Sequence, residues 1–176
     1  MDYRRANTPG GTYFFTVNLA DRGSDTLVRH IEELRAAMAA VKQAHPYTLL
    51  AMVVLPEHLH AIWRLPPDDA NFALRWSLIK AGFSRQLPKS EVIGASRQSK
   101  RERGIWQRRY WEHQIRDETD LARHIEYIHF NPVKHGWVKE PTDWLHSTLH
   151  GYIKRAIVQA DCDGGGYALQ GMRGEQ

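Results

Sequence analysis

The sequence predicts an α+β fold: an antiparallel β-sheet with helices packed on it, in the ferredoxin-like order β-α-β-β-α-β-α. Three observations carry that prediction. Four stretches are rich in β-branched and aromatic residues at strand length, three stretches keep apolar residues at helical spacing, and Gly, Pro and Asp clusters separate them.

Gly10-Gly11 precedes the first strand, Thr12 to Leu19, whose Tyr-Phe-Phe-Thr-Val core suits a pleated, half-buried surface. After the turn Asp21–Ser24, Leu27, Ile31, Leu34, Met38 and Val41 mark one helical face, which His45-Pro46 ends. Tyr47 to Leu55 is a strongly apolar strand. Pro56-Glu57 then either turns a hairpin into the strand carrying His58 and His60, or bulges one continuous strand. Pro66-Pro67-Asp68-Asp69 closes that unit.

Phe72 to Leu87 reads as a second helix, with Phe72, Trp76, Ile79 and Phe83 on one side and Arg75, Lys80 and Arg85 left for solvent or a ligand. Pro88 to Gly104 is a polar, basic loop expected to stay mobile until something anionic orders it. Ile105 to Ile115 is expected to be the fourth strand. The acids at 117, 118 and 120 start a helix ahead of Leu121, which Pro132 is expected to stop near Asn131. A short amphipathic segment, Leu149 to Val158, follows. The chain therefore reads as one domain over 1–158 with a flexible Gly-rich tail over 159–176.

Composition narrows the class. With 42% hydrophobic and 25% charged residues in 176, the chain matches ordinary globular proteins. It carries no apolar run long enough for a bilayer and no signal-like start, so the expected location is the cytoplasm, with no membrane partner. The single cysteine, Cys162, excludes an intrachain disulfide and a multi-cysteine zinc site. The net charge of +4 is concentrated: from Arg97 to Arg109 six residues are Lys or Arg against one acid, and Trp106, Tyr110 and Trp111 lie among or beside them. Cations beside flat rings suit single-stranded nucleic acid. A solvated loop followed by a core strand accounts for the same residues equally well.

Two local patterns bear chemistry. His58 and His60 are two apart on a strand, so both imidazoles point to one face while Leu59, Ala61 and Trp63 point to the other. They are a candidate metal pair or two ordinary members of a set of ten histidines. On the last helix, Leu121, Ile125 and Ile128 form the core stripe. At about 100° per residue His124, Tyr127 and Asn131 fall together about a quarter turn away, at the rim of the buried face. Taken alone, that line is better explained by a half-buried structural tyrosine and a helix-ending asparagine than by a reactive pair.

Five phrases taken together resemble a known family. They are Tyr3-Arg4-Arg5; Gly10-Gly11-Thr12-Tyr13-Phe14-Phe15-Thr16-Val17-Asn18; Val54-Leu55-Pro56-Glu57-His58-Leu59-His60-Ala61-Ile62-Trp63; Ile105-Trp106-Gln107-Arg108-Arg109-Tyr110-Trp111-Glu112-His113; and Tyr127-Ile128-His129-Phe130-Asn131-Pro132-Val133-Lys134-His135-Gly136-Trp137. In this order they resemble the REP-associated tyrosine transposases, relatives of the single-tyrosine HUH transposases of bacterial insertion sequences. The resemblance spans residues 3 to 153, and the stretch from Pro88 to Arg103 is longer than the family pattern.

The resemblance implies an HUH-endonuclease type of sheet and a metal-dependent endonuclease and strand-transferase acting on single-stranded DNA folded as a palindromic REP hairpin. It implies Tyr127 as nucleophile, forming a 5′-phosphotyrosine intermediate, and His58, His60 and Asn131 as ligands of Mg²⁺ or Mn²⁺. Arg4, Arg5, Arg108 and Arg109 lie in the matching phrases and are the expected DNA contacts, with Lys80, Arg85 and Lys134 behind them; a plain surface charge is the other reading of each. When DNA-bound the protein would sit at the nucleoid, as a monomer or a homodimer. Two other readings stand beside this one. A noncatalytic hairpin-DNA-binding regulator derived from a transposase would keep the fold, and a histidine phosphodiesterase would need a second His-x-Ser/Thr motif, for which only scattered candidates such as His146-Ser147 exist.

Overall fold

The computed structural model describes residues 7–89, 95–99 and 103–155. Arg4, Arg5, Cys162 and the tail over 159–176 lie outside the described residues.

Four strands, β1 (Thr12–Asn18), β2 (Thr48–Val54), β3 (His58–Arg64) and β4 (Trp111–Gln114), form one antiparallel sheet in the order β2-β3-β1-β4. Each neighbouring pair is antiparallel, with Thr16 opposite both His60 and Trp111. Helices α1 (Thr26–Arg29) and α2 (Ile31–Ala44) follow β1, and α3 (Phe72–Gln86) follows β3. Helix α4 (Ala95–Gln98) precedes β4; α5 (Glu118–Lys134), a 3₁₀ turn (Pro141–Asp143) and α6 (Leu149–Lys154) complete the chain.

Strand alternation divides the core in two. Tyr13, Phe15, Val17, Leu59, Ala61 and Trp63 face α2 and α3 and pack with Leu34, Met38, Phe72, Trp76 and Phe83. Trp63 and Trp76 stack at 4.2 Å, and Phe15 meets Trp63 at 4.9 Å. Such ring pairs add about 0.5–1.5 kcal/mol each beyond area burial. The opposite face carries Phe14, Ala51, Val53 and Ile62, covered by α5 through Ile128, Leu121 and Ile125. The sheet is thus buried on both sides, and β3 is buried at every position but Arg64.

Five details depart from the sequence reading. The first helix breaks at His30, whose ψ of 41° leaves the α-helical region, so two helices stand where one periodic face runs. The fourth strand is shorter: Trp106 makes only an isolated bridge with Leu19 before the ladder resumes at Trp111. Helix α4 occupies part of the expected basic loop. Arg75 is buried rather than exposed, its guanidinium donating to the carbonyls of His45, Pro46 and Asn71 and to Asp69 at 2.7–3.1 Å. It satisfies carbonyls where α2 ends, a role that spacing alone does not reveal.

Finally, α5 runs through Pro132 to Lys134. Proline removes one backbone donor, but the helix has only one turn left. Its final carbonyls are met by His135, Gly136 (φ +73°) and Trp137 donating to Asn131, Val133 and Pro132.

Helix α5 is also pinned from behind. His129 is buried, with Nε2 3.0 Å from Thr148 Oγ1, and burial pulls its pKa down to about 4. An imidazole that ionises less readily when folded contributes fully above the unfolded value near 6.5, and the contribution is lost as pH falls toward 4. Unfolding followed at pH 7 and pH 4.5 is expected to show an acid loss to which His129 contributes up to about 3 kcal/mol. His129→Leu should flatten that slope, and an unchanged slope would count against this assignment.

Candidate active site

The sheet face under α5 gathers the chemistry. On β3, His58 and His60 point toward α5, as the two-residue alternation requires, with ring centroids 4.9 Å apart. Tyr127 lies over His60 at 5.2 Å, and His135 lies against His58 at 5.2 Å. Asn131 is one helical turn from each of Tyr127 and His135, so it occupies the same helical face between them. It is completely buried, not at the rim, and neither Oδ1 nor Nδ2 has a hydrogen-bond partner among the described residues. The Lys134 ammonium sits 4.9 Å from the centre of the Tyr127 ring.

Each imidazole is oriented by a neighbour. Thr16 Oγ1 lies 2.9 Å from His60 Nδ1, and Glu57 Oε1 lies 2.8 Å from His58 Nδ1. With the protons placed on Nδ1, both rings donate to these oxygens and leave Nε2 lone pairs available. His60 Nε2 is buried and has no hydrogen-bond partner among the described residues. Burial lowers the pKa of His58, and that of His60 well below the ordinary histidine value, where His58, His135 and Lys134 add to the effect. Both are therefore neutral at pH 7, the form a metal requires.

The donor set fits a divalent cation. Two neutral imidazoles on β3 face the helix that carries a buried amide, and among the described residues His60 Nε2 and both Asn131 amide atoms have no partner, an arrangement costly unless something else meets them. A second cluster, His113, Asp120 and His124, also has ligand-type atoms within 4.8 Å of one another. Its atoms already have partners: Asp120 Oδ2 is 2.9 Å from His113 Nε2, and His124 Nδ1 is 2.8 Å from the Asp120 backbone carbonyl and 3.1 Å from its Oδ1. The histidine pair with Asn131 is the stronger candidate because His60 Nε2 and the Asn131 amide atoms have no partner among the described residues.

Glu57 tests the arrangement. Glu57→Ala is expected to weaken Mn²⁺ binding about 10- to 100-fold, the usual cost of losing a partner that orients a ligand. Isothermal titration measures it, and wild-type affinity would remove Glu57 from the site.

No family model matches the chain. A REP-associated tyrosine transposase of Escherichia coli is 44% identical over 163 residues, covering 93% of this chain and 91% of that protein. A Haemophilus influenzae relative of the same description is 45% identical over 164 residues, covering 93% of both. The chain belongs to the REP-associated tyrosine transposases. A solved structure of a member of this family bound to a REP hairpin superimposes with a TM-score of 0.78 at 43% identity, covering 90% of this chain and 88% of that one. The shared fold is the antiparallel sheet with helices described above.

Within this family member the sequence-derived residues separate. His58, His60, Tyr127, Asn131 and Lys134 share the α5 face. Lys80, Arg85 and Arg108 line a cleft of about 740 Å³ on the α3 side, with Arg97, Arg103, Trp106 and Tyr110. Several of these cations bind the protein itself: Lys80 Nζ donates to Gln107 O at 3.0 Å, Arg108 to Ser96 O at 3.2 Å, and Arg103 to the carbonyls of Ser84, Leu87 and Pro88. They staple the basic segment to α3. Arg109 is exposed. The sequence reading missed Thr16, Glu57 and His135. Glu57 abuts His58 in the quoted phrase, but Thr16 emerges only from the β1–β3 register.

Proposed function

We propose that the protein nicks and rejoins single-stranded DNA beside REP-type hairpins, using Tyr127 as nucleophile. The observation that carries this reading is the position of Tyr127 against its own chain's histidine pair, 5.2 Å ring to ring from His60. The named family and its hairpin-bound member supply the substrate class. His58, His60 and Asn131 would hold Mg²⁺ or Mn²⁺, which when bound polarises the scissile phosphodiester.

The protein's own part is positioning and charge. The Tyr127 oxygen attacks phosphorus and loses its proton, the P–O3′ bond breaks, and the departing 3′ oxygen gains a proton. The 5′ phosphate is left as an ester of Tyr127. A 3′-OH attacking that ester reverses the step and restores the phosphodiester, so strand joining needs no external energy source. Lys134, beside the ring, favours the negative charge that develops on the phenol oxygen. In this reading the tyrosine and the histidines of one chain form the site together. Arg109, Arg4 and Arg5 are proposed strand contacts, while Lys80, Arg85 and Arg108, across the sheet, would engage the hairpin away from the reacting phosphate.

Incubating a labelled REP hairpin with the protein and Mn²⁺ is expected to yield a protein–DNA adduct that survives denaturation. Tight binding without any adduct under Mg²⁺ or Mn²⁺ would replace this reading with a noncatalytic hairpin binder.

A further inference from the structure

The α5 face of the sheet extends sideways beyond the histidines to the edge strand β4. Across the ladder, His60 pairs with Thr16, and Thr16 pairs with Trp111, so all three side chains share that face in one row. Trp111 is 49% exposed, although it lies beside a fully covered core. Its ring is held on two sides. It stands edge-on to Phe14 at 5.7 Å and parallel to His113 at 5.9 Å and 5°.

That column is built to stay put. His113 stacks on His124 at 4.8 Å and 16°, and Asp120, from the first turn of α5, bonds both imidazoles, His113 through its carboxylate and His124 through its backbone carbonyl. The same Phe14 that backs Trp111 also contacts Tyr127 at 5.9 Å and His60 at 5.4 Å. A rigid column of parallel rings therefore ends in an open indole, one phenyl ring away from the nucleophile. Arg109, two residues earlier, is exposed.

We propose that Trp111 is a stacking platform for an unpaired base of the DNA strand next to the scissile phosphate. This rests on the reading that single-stranded DNA enters the Tyr127 face. A flat, open ring beside an arginine is what a nucleobase and its phosphate recognise: the base stacks on the indole and the guanidinium meets the phosphate. The pre-ordered column lowers the ordering cost of that contact and sets the distance between the stacked base and the phosphate at Tyr127. Trp111 is thus a positioning residue that selects unpaired over paired DNA at this point, since a base inside a duplex has no free face to offer.

The test measures binding without divalent metal, so that it does not depend on cleavage. Two probes are used: a REP hairpin with a single-stranded extension on each side, and the same hairpin with blunt ends. Trp111→Ala is expected to weaken binding of the extended probe by roughly 5- to 100-fold and to leave the blunt probe unchanged. Trp111→Phe should recover most of the loss, and thermal unfolding of both variants reports folding. One abasic site in the extension should weaken the wild type to a similar degree and cost Trp111→Ala nothing further. Equal losses on both probes, no loss on the extended one, or failure of Trp111→Phe to recover binding would each overturn the platform. If wild type never forms a covalent adduct yet this pattern holds, the cleavage reading falls and the platform stands.

Discussion

Tyr127→Phe is expected to eliminate the covalent protein–DNA adduct, with cleavage falling at least about 10³-fold, while hairpin affinity stays within about twofold. The substitution removes one oxygen and little else. The ring keeps its contacts with His60 at 5.2 Å and Phe14 at 5.9 Å, and Lys134 keeps its place over the ring face. No hydrogen bond from the Tyr127 hydroxyl is among the contacts holding the described residues together, and α5 is fixed by Ile128, His129 and its Asp117 cap. Stability should therefore change by less than about 1 kcal/mol. Denaturing electrophoresis of labelled hairpin with Mn²⁺ reads the adduct, and thermal unfolding reads stability. Residual cleavage at the wild-type rate would assign the attack to water and remove Tyr127 from the mechanism. A loss of binding parallel to the loss of cleavage would make the tyrosine a packing residue.

The features that were legible in the sequence are those a local period can carry. Alternation put His58 and His60 on one face of β3 and Leu59, Ala61 and Trp63 on the other, and the two core clusters divide along that line. Helical spacing put Tyr127 and Asn131 on one line. The chemical role of that line came from the five-phrase resemblance, because a tyrosine beside an asparagine has no signature of its own. What local reading could not reach depends on tertiary contact. Asn131 was placed at the rim because angle on a helix predicts direction but not cover; its complete burial comes from α5 lying flat against β2 and β3. Arg75 looked solvent-ready because nothing near it in sequence announces the carbonyls of His45 and Pro46. The basic stretch read equally as a DNA surface or as a solvated loop ahead of a core strand; Arg108 lines the cleft on the α3 side, whereas Trp111, the first residue of β4, pairs with Thr16 and shares the α5 face.

Asn131→Ala is the substitution that best separates a metal ligand from a structural amide. A buried asparagine in a structural role gives its hydrogen bonds to the fold, and its loss costs several kcal/mol at any metal concentration. Asn131 is fully buried and neither amide atom has a partner among the described residues, so without metal the amide carries a desolvation cost of about 1–3 kcal/mol. Removing it relieves that cost and opens a small void, and the two effects oppose each other. The melting temperature of the metal-free variant should thus lie close to that of wild type, within about 1 kcal/mol of stability. Adding Mn²⁺ should separate the two proteins. At a hundredfold excess over its dissociation constant the ion stabilises wild type by about 2.7 kcal/mol, and Asn131→Ala should lose most of that shift. His60→Ala should lose the shift as well, and it should also leave Thr16 Oγ1 without its partner. An Asn131→Ala protein that is strongly destabilised without metal, or that still gains the full Mn²⁺ shift, would take Asn131 out of the ligand set and leave the histidine pair to hold the ion alone.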